Sequence, residues 1–232
     1  MKYVSSSLVV ISCLFFLLCF GAVTVRAQQS PMRLGKVSAV TQLSSCSNGF
    51  FPGMTCFHAE MSCPNTVNIG LSFGELSPTQ AARGTIVFLE GGPGTTPFAN
   101  PDYGSAYLAA GYQIVELAWD TPWEITQSIA GNNIKNAACR PATFLKYVRQ
   151  NVYQGGGMCA QGDSAGSGAV AYTLAWYGGS VFLDKVELLS GPVFGDIEQG
   201  CAVPNGNKIA VCPPGQFGCN GAEWLDGPEY VF

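Results

Sequence analysis

Met158-Cys159-Ala160-Gln161-Gly162-Asp163-Ser164-Ala165-Gly166 reads as a short strand running into a sharp turn, and Ser164 to Tyr177 continues as a small-residue, apolar helix. The turn has the pattern Gly-x-Ser-x-Gly, in which the residues two positions either side of the serine must be small for the chain to fold back on itself. In that conformation Ser164 projects at the carboxyl end of a strand. The N–H of the next residue, Ala165, opens the helix, where unsatisfied amides and the helix dipole favour negative charge. The same glycines also suit plain close packing of a helix on a sheet, so the motif needs support from the rest of the chain.

That support lies about 70 residues upstream. Gly84-Thr85-Ile86-Val87-Phe88-Leu89 is a continuous apolar run, as expected of a strand buried on both faces of a parallel sheet. It ends in Glu90-Gly91-Gly92-Pro93-Gly94. Glycines there let backbone N–H groups turn toward a bound oxygen, and because Pro93 has no N–H the donor must be Gly92 or Gly94. The loop lacks the spacing and the Lys-Ser/Thr ending of a phosphate-binding loop. Between and beyond these motifs, strand and helix patterns alternate. Helix is expected over Asp102–Ala110 and Ile134–Tyr153, and strand over Tyr112–Leu117 and Lys185–Leu189. Such alternation predicts an α/β sandwich with a mostly parallel sheet and helices on both faces.

Upstream, Met54–Cys63 and Val67–Phe73 read as an antiparallel strand pair joined at Pro64-Asn65, with a further short strand over Lys36–Leu43. Downstream of Pro192 the pattern fades, and 193–232 reads as a Cys-, Gly- and Pro-rich loop or insertion. The 232 residues are 47% hydrophobic and 11% charged with a net charge of −4, which suits one folded domain over 28–232 and excludes a disordered chain. No basic patch is present to hold nucleic acid or an anionic membrane.

The first 27 residues have the grammar of a secretory signal peptide: Lys2, an apolar run from Leu8 to Val25, then Val25-Arg26-Ala27 before Gln28. An uncleaved anchor helix is the alternative. With Cys13 and Cys19 in that leader, Cys46, Cys56, Cys63, Cys139, Cys159, Cys201, Cys212 and Cys219 remain, an even set that fits disulfides in an exported protein. The preferred pair is Cys139 with Cys159, which flank one helix and its following strand. Metal is not expected, because no Cys-x-x-Cys pair occurs and His58 is the sole histidine.

Taken together, the antiparallel pair, the strand with the Glu90–Gly94 loop, and Gly162–Gly166 resemble the α/β-hydrolase superfamily, in its lipase and carboxylesterase form. Glu90 stands where that family's loop usually has histidine. The resemblance covers roughly Val67 to Pro192. It implies Ser164 as nucleophile, the amides of Ala165 and Gly92 as the oxyanion hole, Gly162 and Gly166 as the small elbow residues, a small-molecule ester substrate, and no metal or cofactor. It also implies an acid and then a histidine after the nucleophile, yet no histidine follows Ser164. Asp196 is a candidate acid; a solvated loop aspartate is the simpler account of it. His58 lies in the antiparallel pair, outside the family position. Three accounts follow: the last strands with the acid and base lie beyond residue 232; the fold is a catalytically silent binding module; or another chain supplies the base. Trp119, Trp123 and Tyr103 are candidates to line a pocket or simply to fill the core.

Overall fold

The computed structural model describes residues 30–98, 100–124 and 134–190. The leader, Asp196 and the cysteines at 201, 212 and 219 fall outside them. Seven strands form one open sheet: β1 (Lys36–Gln42), β2 (Thr55–Ser62), β3 (Ile69–Leu76), β4 (Gly84–Leu89), β5 (Gln113–Trp119), β6 (Gly157–Asp163) and β7 (Lys185–Leu189), in the order β1-β2-β3-β5-β4-β6-β7. Pairing is parallel for β5/β4, β4/β6 and β6/β7, and antiparallel for β1/β2, β2/β3 and β3/β5. Five strands therefore point one way, and only β1 and β3 oppose them. The mostly parallel α/β sheet expected from the sequence is present. Its antiparallel end is larger than the expected strand pair, because β1 adds to β2 and β3 also runs antiparallel to β5.

Period-two alternation sorts the strand residues onto two cores. Val87, Leu89, Val115 and Leu117 face one side and pack with Phe144, Leu145, Ala169 and Val170 of α3 (Cys139–Asn151) and α4 (Ala165–Tyr177). Ile86, Phe88 and Ile114 face the other side and pack with Tyr107 and Leu108 of α1 (Pro101–Ala109). Helix α1 starts where Asn100 Oδ1 accepts the Asp102 N–H at 3.2 Å, with Pro101 in the first turn, where a missing N–H costs nothing.

Two expectations are corrected. The helix expected over Ile134–Tyr153 breaks at Ala138 into α2 (Ile134–Ala137) and α3. Pro141 has no N–H to offer Ala137, and its ring crowds the carbonyl four residues back. Among the described residues the disulfides are Cys46–Cys56 and Cys63–Cys139, while Cys159 is free. A Cys139–Cys159 bridge cannot form, because Cys139 lies in the α3/α4 core and Cys159 is packed against the α1 core on the opposite face of the sheet. Cys63–Cys139 spans 76 residues against 10 for the other bridge. In the chain-entropy account it therefore stabilises more, about 4–5 against about 3 kcal/mol.

The seven residues of β5 are all buried, and one of them is Glu116, 2% exposed. Its Oε2 accepts the Phe51 N–H at 3.0 Å. Burial pushes its carboxyl up from 4.5 to about 7; the Phe51 N–H opposes the shift and the charge of Glu90 adds to it. Between those two values the folded chain holds a proton that the unfolded chain has released. Stability is therefore greatest below the unfolded value and falls as pH rises toward about 7. Glu124, pushed to the same value by burial, acts in the same direction. Glu116→Gln keeps an acceptor for Phe51 and loses the titration. Urea midpoints measured from pH 5 to 8 should fall less steeply in this variant than in the wild type.

Candidate functional site

The chain leaves β4 toward β5 and leaves the adjacent β6 toward β7, in opposite directions, so a crevice opens between the carboxyl ends of β4 and β6. The Glu90–Gly94 loop and Ser164 both sit there, because Leu89 pairs with Gly162 and the two strands end together. A Cβ on Gly91 would stand 2.8 Å from the Ser164 Cβ, so the two motifs, distant in sequence, are in contact.

Ser164 has φ 48° and ψ −118°, a conformation that a residue with a side chain rarely adopts. Several contacts hold it. Its N–H donates to Leu189 O at 2.8 Å, and its carbonyl accepts the Ser167 N–H at 2.9 Å. Ser167 Oγ lies 2.8 Å from both Gly162 O and Leu189 O, and its one proton serves either carbonyl. A Cβ on Gly162 would overlap the Gly166 carbonyl, and one on Gly166 would overlap Leu89 O. Neither position has room for a side chain. Gly168, two residues on, has nothing within 4 Å of its Cβ position.

The loop is a tight turn. The Gly94 N–H donates to Gly91 O at 3.1 Å, and the Gly91 N–H donates to Glu90 Oε1 at 2.9 Å. Of the two donors the sequence left open, Gly94 is therefore occupied. The Gly92 N–H has no acceptor among the described residues, and Gly92 is exposed at φ 55° with open space where a Cβ would be. The Ala165 N–H, first in α4, likewise has none. Among the described residues, these two backbone donors next to Gly91 and Ser164 have no acceptor.

Trp119 and Trp123 are 3% and 1% exposed, and with Leu89, Glu90, Gly94, Leu117, Gly166 and Ala169 they line a small cavity behind the loop. Tyr103 is 42% exposed on α1. His58 is on β2, where Nε2 lies 3.0 Å from Asp120 Oδ2. Strands β3, β5 and β4 separate it from β6, about 19 Å at ordinary strand spacing, so it does not serve Ser164. Sequence reasoning passed over this pair, although Asp120 follows directly on a buried strand. It also passed over Glu116, whose signal was a charge inside an apolar run. Among the described residues no cluster of His, Cys, Asp or Glu is arranged to hold a metal ion, and no helix is long and apolar enough to cross a membrane.

No family model matches the chain, and no curated protein matches it in sequence. Solved structures similar in backbone course include an acetyl xylan esterase from Thermoanaerobacterium sp. (12% identity, TM-score 0.45, covering 72% of this chain and 55% of that one). Another is an acetyl xylan esterase from Paenibacillus sp. R4 (11% identity, TM-score 0.45, 72% and 57%). A third is a thermostable carboxyl esterase from Bacillus coagulans (15% identity, TM-score 0.40, 65% and 44%). The chain spans about half the length of these structures. The chain's own sheet order, with the strand–turn–helix at Ser164, makes the architecture α/β-hydrolase-like.

The elbow's sterics can be tested by two neighbouring glycines. Gly166→Ala should lower stability by about 2–3 kcal/mol through overpacking against Leu89. Gly168→Ala should be neutral or stabilising by up to about 1 kcal/mol, the helix-propensity gain. Urea unfolding of both variants checks the contrast.

Proposed function

We propose that this chain carries the nucleophile and oxyanion hole of an exported serine hydrolase acting on carboxylic esters. One observation carries the reading: a serine in a disfavoured backbone conformation stands against a glycine loop, with the amides of Ala165 and Gly92 both unused. Backbone strain of this kind persists where surrounding structure enforces it, and it clusters at active sites. Ser164 Oγ attacks the ester carbonyl, the two amides receive the developing oxyanion, the alcohol leaves, and water releases the acyl group. No metal or organic cofactor enters this chemistry. Two disulfides fit an oxidising compartment and hence export by the leader over 1–27.

A serine hydroxyl needs a base to take its proton. With His58 committed to Asp120 far across the sheet, the base and its orienting acid are proposed to lie beyond residue 232. Asp196 is retained as a second candidate for the acid. The same distance favours the alternative, a catalytically silent hydrolase-fold module that binds a partner or a small ligand.

The test uses the longest natural form of the protein, isolated from the secreted fraction, with an aryl acetate as substrate. Ser164→Ala should reduce kcat/KM at least about 10³-fold. Unchanged activity in that variant would remove Ser164 from the mechanism. No activity in a form that carries a downstream histidine would favour the silent module.

A further inference from the structure

Arg140 is wholly buried in the first turn of α3, next to the disulfide-bonded Cys139. Removing a guanidinium from water costs several kcal/mol, and apolar residues of similar volume often replace buried ions without loss of stability. A buried arginine is thus poorly explained as filler. Its fork spans two separate loops: Nη1 donates to Trp123 O at 2.5 Å, and Nη2 donates to Val67 O at 2.9 Å. Burial lowers the guanidinium's pKa to about 10, while nearby Glu124 opposes the shift and favours the charged form.

Trp123 carries this anchor toward the site. A Cβ on Gly94 would stand 3.3 Å from Trp123 Cδ1 and 2.9 Å from Trp119 Cδ1. The Trp119 N–H donates to Gly94 O at 2.9 Å. Gly94 is therefore seated against both indoles, and its N–H closes the turn onto Gly91, which touches Ser164. Trp123 Nε1 is buried without a hydrogen-bond partner among the described residues.

We propose that Arg140 is a positioning residue for the Gly91–Gly94 loop, acting through Trp123. It pins the carbonyl of Trp123, the indole fixes Gly94, and the turn then holds the Gly92 amide at one place relative to Ser164. A lysine cannot reproduce this, because an ammonium lacks the planar fork that reaches two carbonyls together. The catalytic consequence rests on the proposed hydrolase reading; the mechanical one does not.

The experiment is amide hydrogen exchange on the full chain, comparing wild type, Arg140→Met and Arg140→Lys. The amides of Gly94 and Trp119 should exchange at least about ten-fold faster in both variants, while those of β4 and β6 keep their wild-type protection. Wild-type exchange at Gly94 and Trp119 in a folded variant would overturn the proposal. So would uniform acceleration across the sheet, or failure of both variants to fold, since each makes Arg140 a general core residue. In the longest active form, Arg140→Lys should lower kcat about ten-fold with KM unchanged. If Ser164→Ala leaves activity intact while the exchange result holds, the hydrolase reading fails and the positioning role stands.

Discussion

The backbone of Ser164 is held at φ 48° and ψ −118°, and much of the described structure serves to keep it there. A non-glycine residue in such a region costs about 1–3 kcal/mol unless its surroundings over-determine it. Here they do. Leu189 at the end of β7 accepts the Ser164 N–H, Ser167 returns a hydroxyl toward Gly162 and Leu189, and Gly162 and Gly166 allow contacts that no side chain would permit. The elbow therefore depends on β4, β6 and β7 lying side by side, and on α4 pressing against the end of β4.

The loop opposite the elbow depends on a different part of the molecule. Gly94 rests on Trp119 and Trp123, which belong to the end of β5 and the segment after it. That segment is fastened by Arg140 from α3, and α3 is tied to the end of β2 by Cys63–Cys139. The two halves of the candidate site thus come from separate supports, the parallel strands on one side and the β5–α3 packing on the other. They meet where Gly91 touches Ser164.

The elements that sequence made legible are those with local signals. Continuous apolar runs marked β4 and β5, alternation marked β3, and the spacing of small residues around Ser164 marked the elbow, because each depends only on near neighbours in the chain. Cys159 and Cys139 misled, since sequence proximity does not reveal that β6 turns Cys159 to the opposite face from α3. That Pro141 splits the helix at Ala138 is visible only with the carbonyl in place. Arg140 and the His58–Asp120 pair were illegible for the same reason: their partners lie 17, 73 and 62 residues away and share no pattern with them. Which of the Gly92 and Gly94 amides the turn consumes is likewise visible only in the folded loop.

The strain at Ser164 is measurable by comparing two substitutions at that one position. Alanine keeps the Cβ and so the strain; glycine removes both. Against a strain of about 1–3 kcal/mol, glycine loses roughly 0.5–1 kcal/mol through the greater freedom of the unfolded chain. Equilibrium urea unfolding should find Ser164→Ala close to wild type and Ser164→Gly more stable than either by about 1 kcal/mol. A Ser164→Gly variant less stable than Ser164→Ala would contradict a strained elbow at this serine.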